Sequence, residues 1–128
     1  MNIGQASKAS GVSAKMIRYY ESIGLIAPAL RTHSSYRTYA DSDVHTLSFI
    51  RRARDLGFSV EQMKTLLALW RDRSRASADV KALAIQHIRE LEEKAAAIAA
   101  MTETLRHLAD HCHGDSRPDC PIIEAFAS

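Results

Sequence analysis

Apolar positions in the second half of the chain repeat with the spacing of one long helix. Between Phe58 and His113 there is neither Gly nor Pro, so the residues that normally interrupt helices are missing there. The apolar seam combines a seven-residue repeat with intervening three- and four-residue spacings, at Val80, Ile88, Leu91, Ala95, Ile98, Met101, Leu105 and Leu108. The pattern predicts a helix over Ala78–Asp110, about 50 Å long at 1.5 Å per residue.

The seam of this helix needs a partner. Such a helix is longer than a small domain can cover, so the expected partner is the same helix of a second copy in a two-fold homodimer. His87 and Lys94 interrupt the seam, and periodicity does not distinguish parallel from antiparallel pairing. A monomeric bundle is the alternative, but too few other helices remain to cover the seam.

Short helices separated by Gly and Ser characterise the beginning of the chain. A helix is expected over Ile3–Ala9, and Gly11 after it prevents its continuation. Ser13 is expected to cap a second helix, Ala14–Ile23, and Gly24 follows that helix as its breaker. Two short helices joined by a tight turn have the spacing of a helix-turn-helix motif.

The second predicted helix separates its side chains onto two faces. Its apolar stripe contains Met16, Tyr20 and Ile23. Its polar face contains Lys15, Arg18, Tyr19 and Ser22. A cationic face with an aromatic ring suits the major groove, where Arg can bridge two guanine acceptors and Lys can hold a phosphate. A solvated polar face is the alternative, and the pattern alone does not decide between them.

A polar segment with interleaved Arg and Tyr follows Pro28. Its flanks favour short strands, so it predicts a small hairpin, or wing, that carries Arg31, Tyr36, Arg37 and Tyr39. Arg can reach phosphate or the minor groove, and a Tyr hydroxyl can donate to a phosphate oxygen. Alternatively, the two tyrosines pack the hairpin onto the helices. We expect one of them to do so while Arg37 points outward.

Two more helices complete this predicted domain. Asp41 is expected to cap a third helix that ends at Leu56. Ser59 and Gln62 predict a capping box for a fourth helix, which runs to about Asp72. The expected core positions of these helices are Val44, Leu47, Ile50, Ala53, Leu56, Met63, Leu66, Leu67 and Trp70. A lone Trp on such a stripe is more often a core residue than part of a ligand cage.

Charge divides the chain near the start of the long helix. Residues 1–75 carry 12 Lys and Arg against 6 Asp and Glu, a net charge of +6, whereas residues 76–128 carry 5 against 9, a net charge of −4. A basic first half suits a polyanion. The third helix carries three arginines close together, Arg51, Arg52 and Arg54. They could make a second phosphate contact, or they could simply be a solvated charged run. Without a signal-peptide pattern or an apolar span of ~20 residues, we expect a cytoplasmic protein with reduced thiols.

Two cysteines flank a loop near the end of the chain. Cys112 and Cys120 can approach each other, and Pro121 can begin a short helix whose N–H groups favour a thiolate at Cys120. Two thiolates suit a soft monovalent ion such as Cu(I), whereas structural Zn(II) needs four ligands. His111 and His113 could complete such a set but are more simply read as exposed loop residues. An inert or disulfide-forming cysteine pair is the remaining alternative.

Taken in order, these segments resemble the MerR family of transcription regulators. The resemblance rests on the helix-turn-helix (IRYYESIGLI), the wing (YRTY), the third helix (IRRARDLGFS) and a tail similar to the copper-efflux, or CueR, branch. It implies a mainly α fold in three parts. A winged helix-turn-helix DNA-binding domain would span 1–75, an antiparallel coiled-coil dimerisation helix 76–110, and a metal-binding loop with a short C-terminal helix 111–128.

The resemblance also implies a mechanism. Ser at the start of the dimerisation helix accompanies monovalent ions in this family, so Ser77 implies Cu(I), Ag(I) or Au(I) bound by Cys112 and Cys120. The implied DNA contacts are Lys15, Arg18, Tyr19, Tyr20, Arg31, Tyr36, Arg37 and Arg54. A homodimer would distort a promoter whose two elements are too far apart. RNA polymerase could then engage both elements and transcribe copper-efflux genes.

Other functions stay open from the sequence. A regulator of the same fold that senses mainly Au(I) or Ag(I) would use the same linear thiolate chemistry, and a thiol redox switch would use the same cysteines. A copper chaperone would explain the cysteines but not the basic first half. An enzyme is disfavoured, because no Ser/His/Asp set or carboxylate pair has a recognisable spacing.

Overall fold

The computed structural model describes residues 1–128 and is mainly helical, as predicted. The helices are α1 (Ile3–Ser10), α2 (Ala14–Ser22), α3 (Asp41–Asp55), α4 (Val60–Arg71), α5 (Ser77–Asp110) and α6 (Pro121–Ala127). Two short strands, β1 (Leu30–Arg31) and β2 (Arg37–Thr38), form an antiparallel hairpin. None of the helices combines the length and apolar content needed to cross a lipid bilayer.

The chain divides into two compact units, Met1–Val80 and Lys81–Ser128. The first contains α1 to α4 and the hairpin, and the second contains most of α5, the cysteine loop and α6. The functional division at residues 75 and 110 stays a prediction.

Local side-chain caps begin the first helices of the first unit. The Asn2 carboxamide accepts a hydrogen bond from the Gln5 N–H at 2.8 Å, and the Gln5 side chain accepts from the Asn2 N–H at 2.9 Å. Ser13 Oγ accepts from the Met16 N–H at 3.2 Å and begins α2, as predicted. Between these helices Gly11 adopts φ +75°, the left-handed conformation that allows the tight turn of the helix-turn-helix motif.

The start and end of α3 differ from the sequence prediction. Ala40, not Asp41, is its N-cap residue, and the Ala40 N–H donates to the Asp43 carboxylate at 2.8 Å. The helix ends at Asp55 and leaves the Leu56 side chain 65% exposed, so the assignment of Leu56 to the core is wrong. The capping box of Ser59 and Gln62 begins α4 as predicted.

The core of the first unit is formed by its helices together with the segments that flank the wing. Its buried apolar side chains are Ala6, Val12, Ile17, Tyr20, Leu25, Ile26, Tyr39, Leu47, Ile50, Ala53, Met63 and Leu67. Ile17 is fully buried, whereas Met16 and Ile23 are only partly buried. The predicted stripe of α2 is therefore shifted: Ile17 lies one helical turn before Tyr20 and shares its face.

Trp70 does not complete the core as predicted. Its side chain is 40% exposed and stacks on Phe49, with ring centroids 4.6 Å apart and an interplanar angle of 4°. The stack covers one face of the indole and leaves the rest in solvent. Trp70 is therefore part of a surface aromatic pair.

Helix α5 begins one residue before its predicted start and ends where predicted. Most of its seam residues are exposed in the single chain, including Ile88 at 50%, Ile98 at 60% and Leu105 at 51%, whereas Val80 and Leu108 are partly buried. His87, which interrupts the seam, is buried to 4% exposure, and its Nδ1 lies 3.6 Å from a Glu90 carboxylate oxygen. The apolar seam of this helix is thus available to a further partner.

Candidate DNA-binding surface and metal loop

Helix α2 presents its predicted polar face to solvent. Lys15, Arg18 and Tyr19 are exposed, and the Tyr19 ring is 47% accessible. Ile17 and Tyr20 fix the opposite side of the same helix in the core. A rigid helix with two cations and an aromatic ring on one face can present them together to a groove of duplex DNA.

The wing extends from this helix as a hairpin whose tip is polar. Leu30 pairs with Thr38 and Arg31 pairs with Arg37 across the two strands. The Arg31 guanidinium donates to the Ser35 carbonyl oxygen at 2.8 Å, and Ser35 takes a left-handed φ of 64° in the turn. Tyr36 is 73% exposed at the tip, where its hydroxyl is free to reach a phosphate.

Helix α2 and the wing share one groove of about 420 Å³. Four of the residues predicted to contact DNA line it: Arg18, Arg31, Tyr36 and Arg37. Three guanidinium groups around one concavity create a local positive potential that attracts phosphate. The structure therefore brings together side chains that are up to 19 positions apart in the chain.

Glu21 organises the base of the wing. Its carboxylate accepts a hydrogen bond from the Tyr39 hydroxyl at 2.6 Å and forms an ion pair with Arg37 Nε at 3.4 Å. Tyr39 is 4% exposed, so it is the tyrosine that packs the hairpin onto the helices, as expected for one of the two. Arg37 does not point freely outward, contrary to the prediction, because Glu21 holds it.

Glu21 was missed by the sequence analysis. It is the one acidic residue among the first 40, and that isolation within a basic segment was the available signal. Burial and then the hydrogen bond to Glu21 raise the pKa of Tyr39 to about 12. The phenol is consequently a fixed hydrogen-bond donor at neutral pH.

Tyr20 is a core residue, contrary to its predicted role at the DNA backbone. Its side chain is 1% exposed, and its hydroxyl accepts a hydrogen bond from Arg54 Nη1 at 3.4 Å. This hydrogen bond raises the pKa of Arg54. A direct contact of the Tyr20 ring with DNA is incompatible with this burial. Arg54 is exposed, with other donors available.

Arg51 and Arg54 lie together at the turn of the helix-turn-helix. Both line a cavity of about 300 Å³ with Gly11 and Ser13. A Cβ added to Gly11 would collide with the Arg51 guanidinium, which therefore lies against the turn. This arrangement is compatible with a second phosphate contact through Arg51 and Arg54, and that contact stays a prediction.

The cysteine loop brings its two sulfurs together, as the spacing predicted. Cys112 Sγ and Cys120 Sγ are 3.6 Å apart, and both residues are partly buried. Cys120 is the N-cap residue of α6, and Pro121 occupies the first turn. Hydrogen bonds from the Ile123 N–H, then from Cys112 and the Ile122 N–H, lower the pKa of Cys120.

A short ion pair closes the tip of this loop. The Asp115 carboxylate accepts from the Arg117 N–H at 2.9 Å and pairs with Arg117 Nη2 at 2.8 Å, which lowers the pKa of Asp115. Gly114 takes a positive φ of 65° in the same bend. His113 is exposed, and Ser77 is an exposed residue at the start of α5. No group of three or more His, Cys, Asp or Glu side chains is arranged to hold a metal ion.

The sequence matches two protein families. Residues 1–69 match the family described as "MerR HTH family regulatory protein", and residues 44–108 match the family described as "MerR, DNA binding". Together these matches cover the helix-turn-helix, the wing, α3, α4 and most of α5. Each match alone covers at least half of the chain.

Individual relatives extend the similarity over the whole chain. "Heavy metal-dependent transcription regulator 2" of Rhizobium meliloti is 78% identical over 128 residues, which cover 100% of this chain and 87% of that protein. The "HTH-type transcriptional regulator CueR" of Salmonella typhimurium is 40% identical over 97% of this chain and 90% of that protein. Among solved structures, PbrR691 of Ralstonia metallidurans in complex with lead(II) has a TM-score of 0.83 at 27% identity, with 98% of each chain covered.

Proposed function

The chain belongs to the MerR family of transcription regulators, and we propose that it activates copper-efflux and detoxification genes when Cu(I) binds to Cys112 and Cys120. The observation that carries the proposal is the 3.6 Å separation of the two sulfurs at the end of the long helix. Relatives named as a heavy metal-dependent regulator and as CueR support a metal-responsive role. A regulator of promoters must reach DNA, so we propose that it works in the cytoplasm.

The donor set supports a monovalent ion. Two thiolates and one monovalent ion leave a single negative charge, which the N–H groups at the start of α6 can offset. Zn(II) in a structural site would require four ligands. Cys112 and Cys120 would hold the ion between their sulfurs, which lie 3.6 Å apart without it. Ag(I) and Au(I) share this chemistry and are the alternative effectors.

The seam of α5 supports a homodimer. Large apolar side chains along this helix are exposed in the single chain, among them Ile88, Leu91 and Ile98. We propose that the same seam of a second copy covers them in an antiparallel coiled coil. Ser77, at the start of α5, is the residue that we associate with selectivity for monovalent ions.

The first unit supports recognition of promoter DNA. Its basic groove, formed by α2 and the wing, can hold phosphate, while Lys15 and Tyr19 can reach base edges or backbone from the same helix face. Metal would favour one of two dimer shapes, and that shape would distort the promoter so that RNA polymerase engages both of its elements. Such a population shift requires Cu(I) to bind one shape more tightly than the other.

The direct test is anaerobic titration of the reduced protein with Cu(I). We expect one tightly bound Cu(I) per protomer in the wild type, and loss of this binding in both Cys112→Ser and Cys120→Ser. His113→Ser serves as the matched loop control and should keep it. Displacement of Cu(I) by Zn(II), or tight binding by either cysteine variant, would contradict the two-thiolate site.

A thiol redox switch is the second candidate, and the same sulfur separation favours it. A disulfide bond is about 2.05 Å long, so the sulfurs need to approach by only about 1.5 Å. In this case transcription from the target promoter would respond to oxidant in an assay without copper, silver or gold ions. A response to Cu(I) under strictly anaerobic, reducing conditions would instead support the metal sensor.

A further inference from the structure

Two histidines form a pair on one face of α5, just before the cysteine loop. His107 and His111 are four residues apart, and their ring centroids are 4.3 Å apart with an interplanar angle of 46°. Residues at this spacing are neighbours on a helix surface. Both residues are exposed, so a dissolved ion can reach them.

A backbone contact fixes the orientation of the second ring. His111 Nδ1 lies 2.8 Å from the His107 carbonyl oxygen. A carbonyl oxygen only accepts, so Nδ1 carries the proton and donates it, and the lone pair of the neutral ring is on Nε2. Metal-bound histidines are oriented in this way, with the second ring nitrogen donating to a carbonyl or carboxylate.

The separation of the rings matches a chelate. An imidazole nitrogen binds first-row metals at about 2.05 Å, which places a ring centroid about 3.2 Å from the ion. Two such rings at a right angle around the ion would have centroids about 4.5 Å apart, against about 5.2 Å for a tetrahedral angle. The observed 4.3 Å is close to these separations, so small rotations of the two side chains would place both rings around one ion.

From this geometry we propose that His107 and His111 form a second metal site, for a divalent ion with tetragonal preference. Right angles between nitrogen ligands are typical of Cu(II) and Ni(II), and Cu(II) binds such ligands most tightly among first-row divalent ions. Water completes the coordination. The site takes oxidised copper on nitrogen ligands, whereas the thiolate pair takes soft monovalent ions, so it does not depend on the function proposed for Cys112 and Cys120.

The test is titration of the full chain with Cu(II) in a Cys112→Ser/Cys120→Ser background, which removes both thiols. Electron paramagnetic resonance should show one equivalent of tetragonal, nitrogen-bound Cu(II). His107→Gln and His111→Gln should each abolish this signal, because one exposed imidazole cannot chelate. His113→Gln, in the adjacent loop, is the matched control and should keep it.

Two outcomes would overturn the proposal. A Cu(II) signal that persists in His107→Gln would exclude the helical pair, and its loss in His113→Gln would move the site into the loop. Circular dichroism should confirm that each variant keeps its helix content. The same titration on wild-type protein with both thiols alkylated gives a second measurement that needs no serine substitution.

Discussion

The two units bury their apolar residues to very different extents. All 12 buried apolar side chains lie within Met1–Val80, whereas His87 is the buried residue of Lys81–Ser128. Several large apolar residues of the second unit, such as Ile98 and Leu105, are more than half exposed. The first unit therefore contains its own core, whereas the second presents an exposed apolar surface, which the proposed homodimer would cover.

The largest expected effect is in the core of the first unit. Leu47→Ala removes a fully buried side chain and should lower the free energy of unfolding by about 2–5 kcal/mol. Chemical denaturation followed by circular dichroism measures this. If the first unit is self-contained, the loss will not depend on protein concentration. A loss that changed with concentration would show that a partner contributes to this core.

A charge in the seam should act through association. Ile98→Glu places a carboxylate on the exposed apolar face of α5 and forfeits the burial of an Ile, worth about 1.5–3 kcal/mol per side chain. The dissociation constant of the dimer should rise at least about tenfold, as measured by analytical ultracentrifugation. Arg89→Glu, a charge change at another exposed position of α5, should leave the dimer intact. If the dissociation constant of Ile98→Glu were unchanged, the seam would not be part of the dimer interface.

The base of the wing should show a smaller, pH-dependent effect. Tyr39→Phe removes a hydrogen bond to a carboxylate, which is worth about 1.5–3 kcal/mol. The raised pKa of Tyr39 means that folding favours the protonated phenol. The contribution of the protonated Tyr39 phenol to the stability of the folded state is fully present below pH 10 and is lost as the pH rises to about 12. Alkaline titration of phenolate absorbance should show a step near pH 12 from Tyr39, and Tyr39→Phe should lack this step.

The smallest expected effect is on the basic groove of the first unit. Arg18→Ala removes an exposed guanidinium that no ion pair holds, so DNA affinity should fall about tenfold and its salt dependence should become shallower by about one phosphate contact per protomer. Arg37→Ala should have a weaker effect, because Glu21 already neutralises Arg37 in the free protein. Fluorescence anisotropy at several salt concentrations distinguishes the two variants. Equal losses would mean that DNA displaces Glu21.

Local signals made the fold of the first unit predictable. Ser13 and the pair Ser59 and Gln62 cap their helices through contacts within three residues, and such contacts can be read directly from the sequence. The approach of Cys112 and Cys120 was predictable for a similar reason, because a short loop with a Gly separates them. The glycine-free run likewise gave the long helix within one residue.

The errors came from contacts between distant segments. Glu21 meets Tyr39 and Arg37 only after the hairpin folds back on α2, so its isolation among basic residues was a signal but did not identify its partners. Trp70 lies on the apolar stripe of α4, which predicted a core position, but Phe49 of α3 covers only one face of its indole. Tyr20 lies on the predicted apolar stripe of α2, and its burial is incompatible with the DNA contact that the resemblance implied. Its hydroxyl instead accepts from Arg54.

The contact between Gly11 and Arg51 joins two positions that are 40 residues apart in the chain. The Arg51 guanidinium occupies the space where a Cβ at position 11 would lie, but it is the end of an exposed, flexible side chain and can move aside. The positive φ of the turn cannot be relieved in this way, because it disfavours every residue with a Cβ. Gly should therefore be retained at position 11 across relatives, even where position 51 varies.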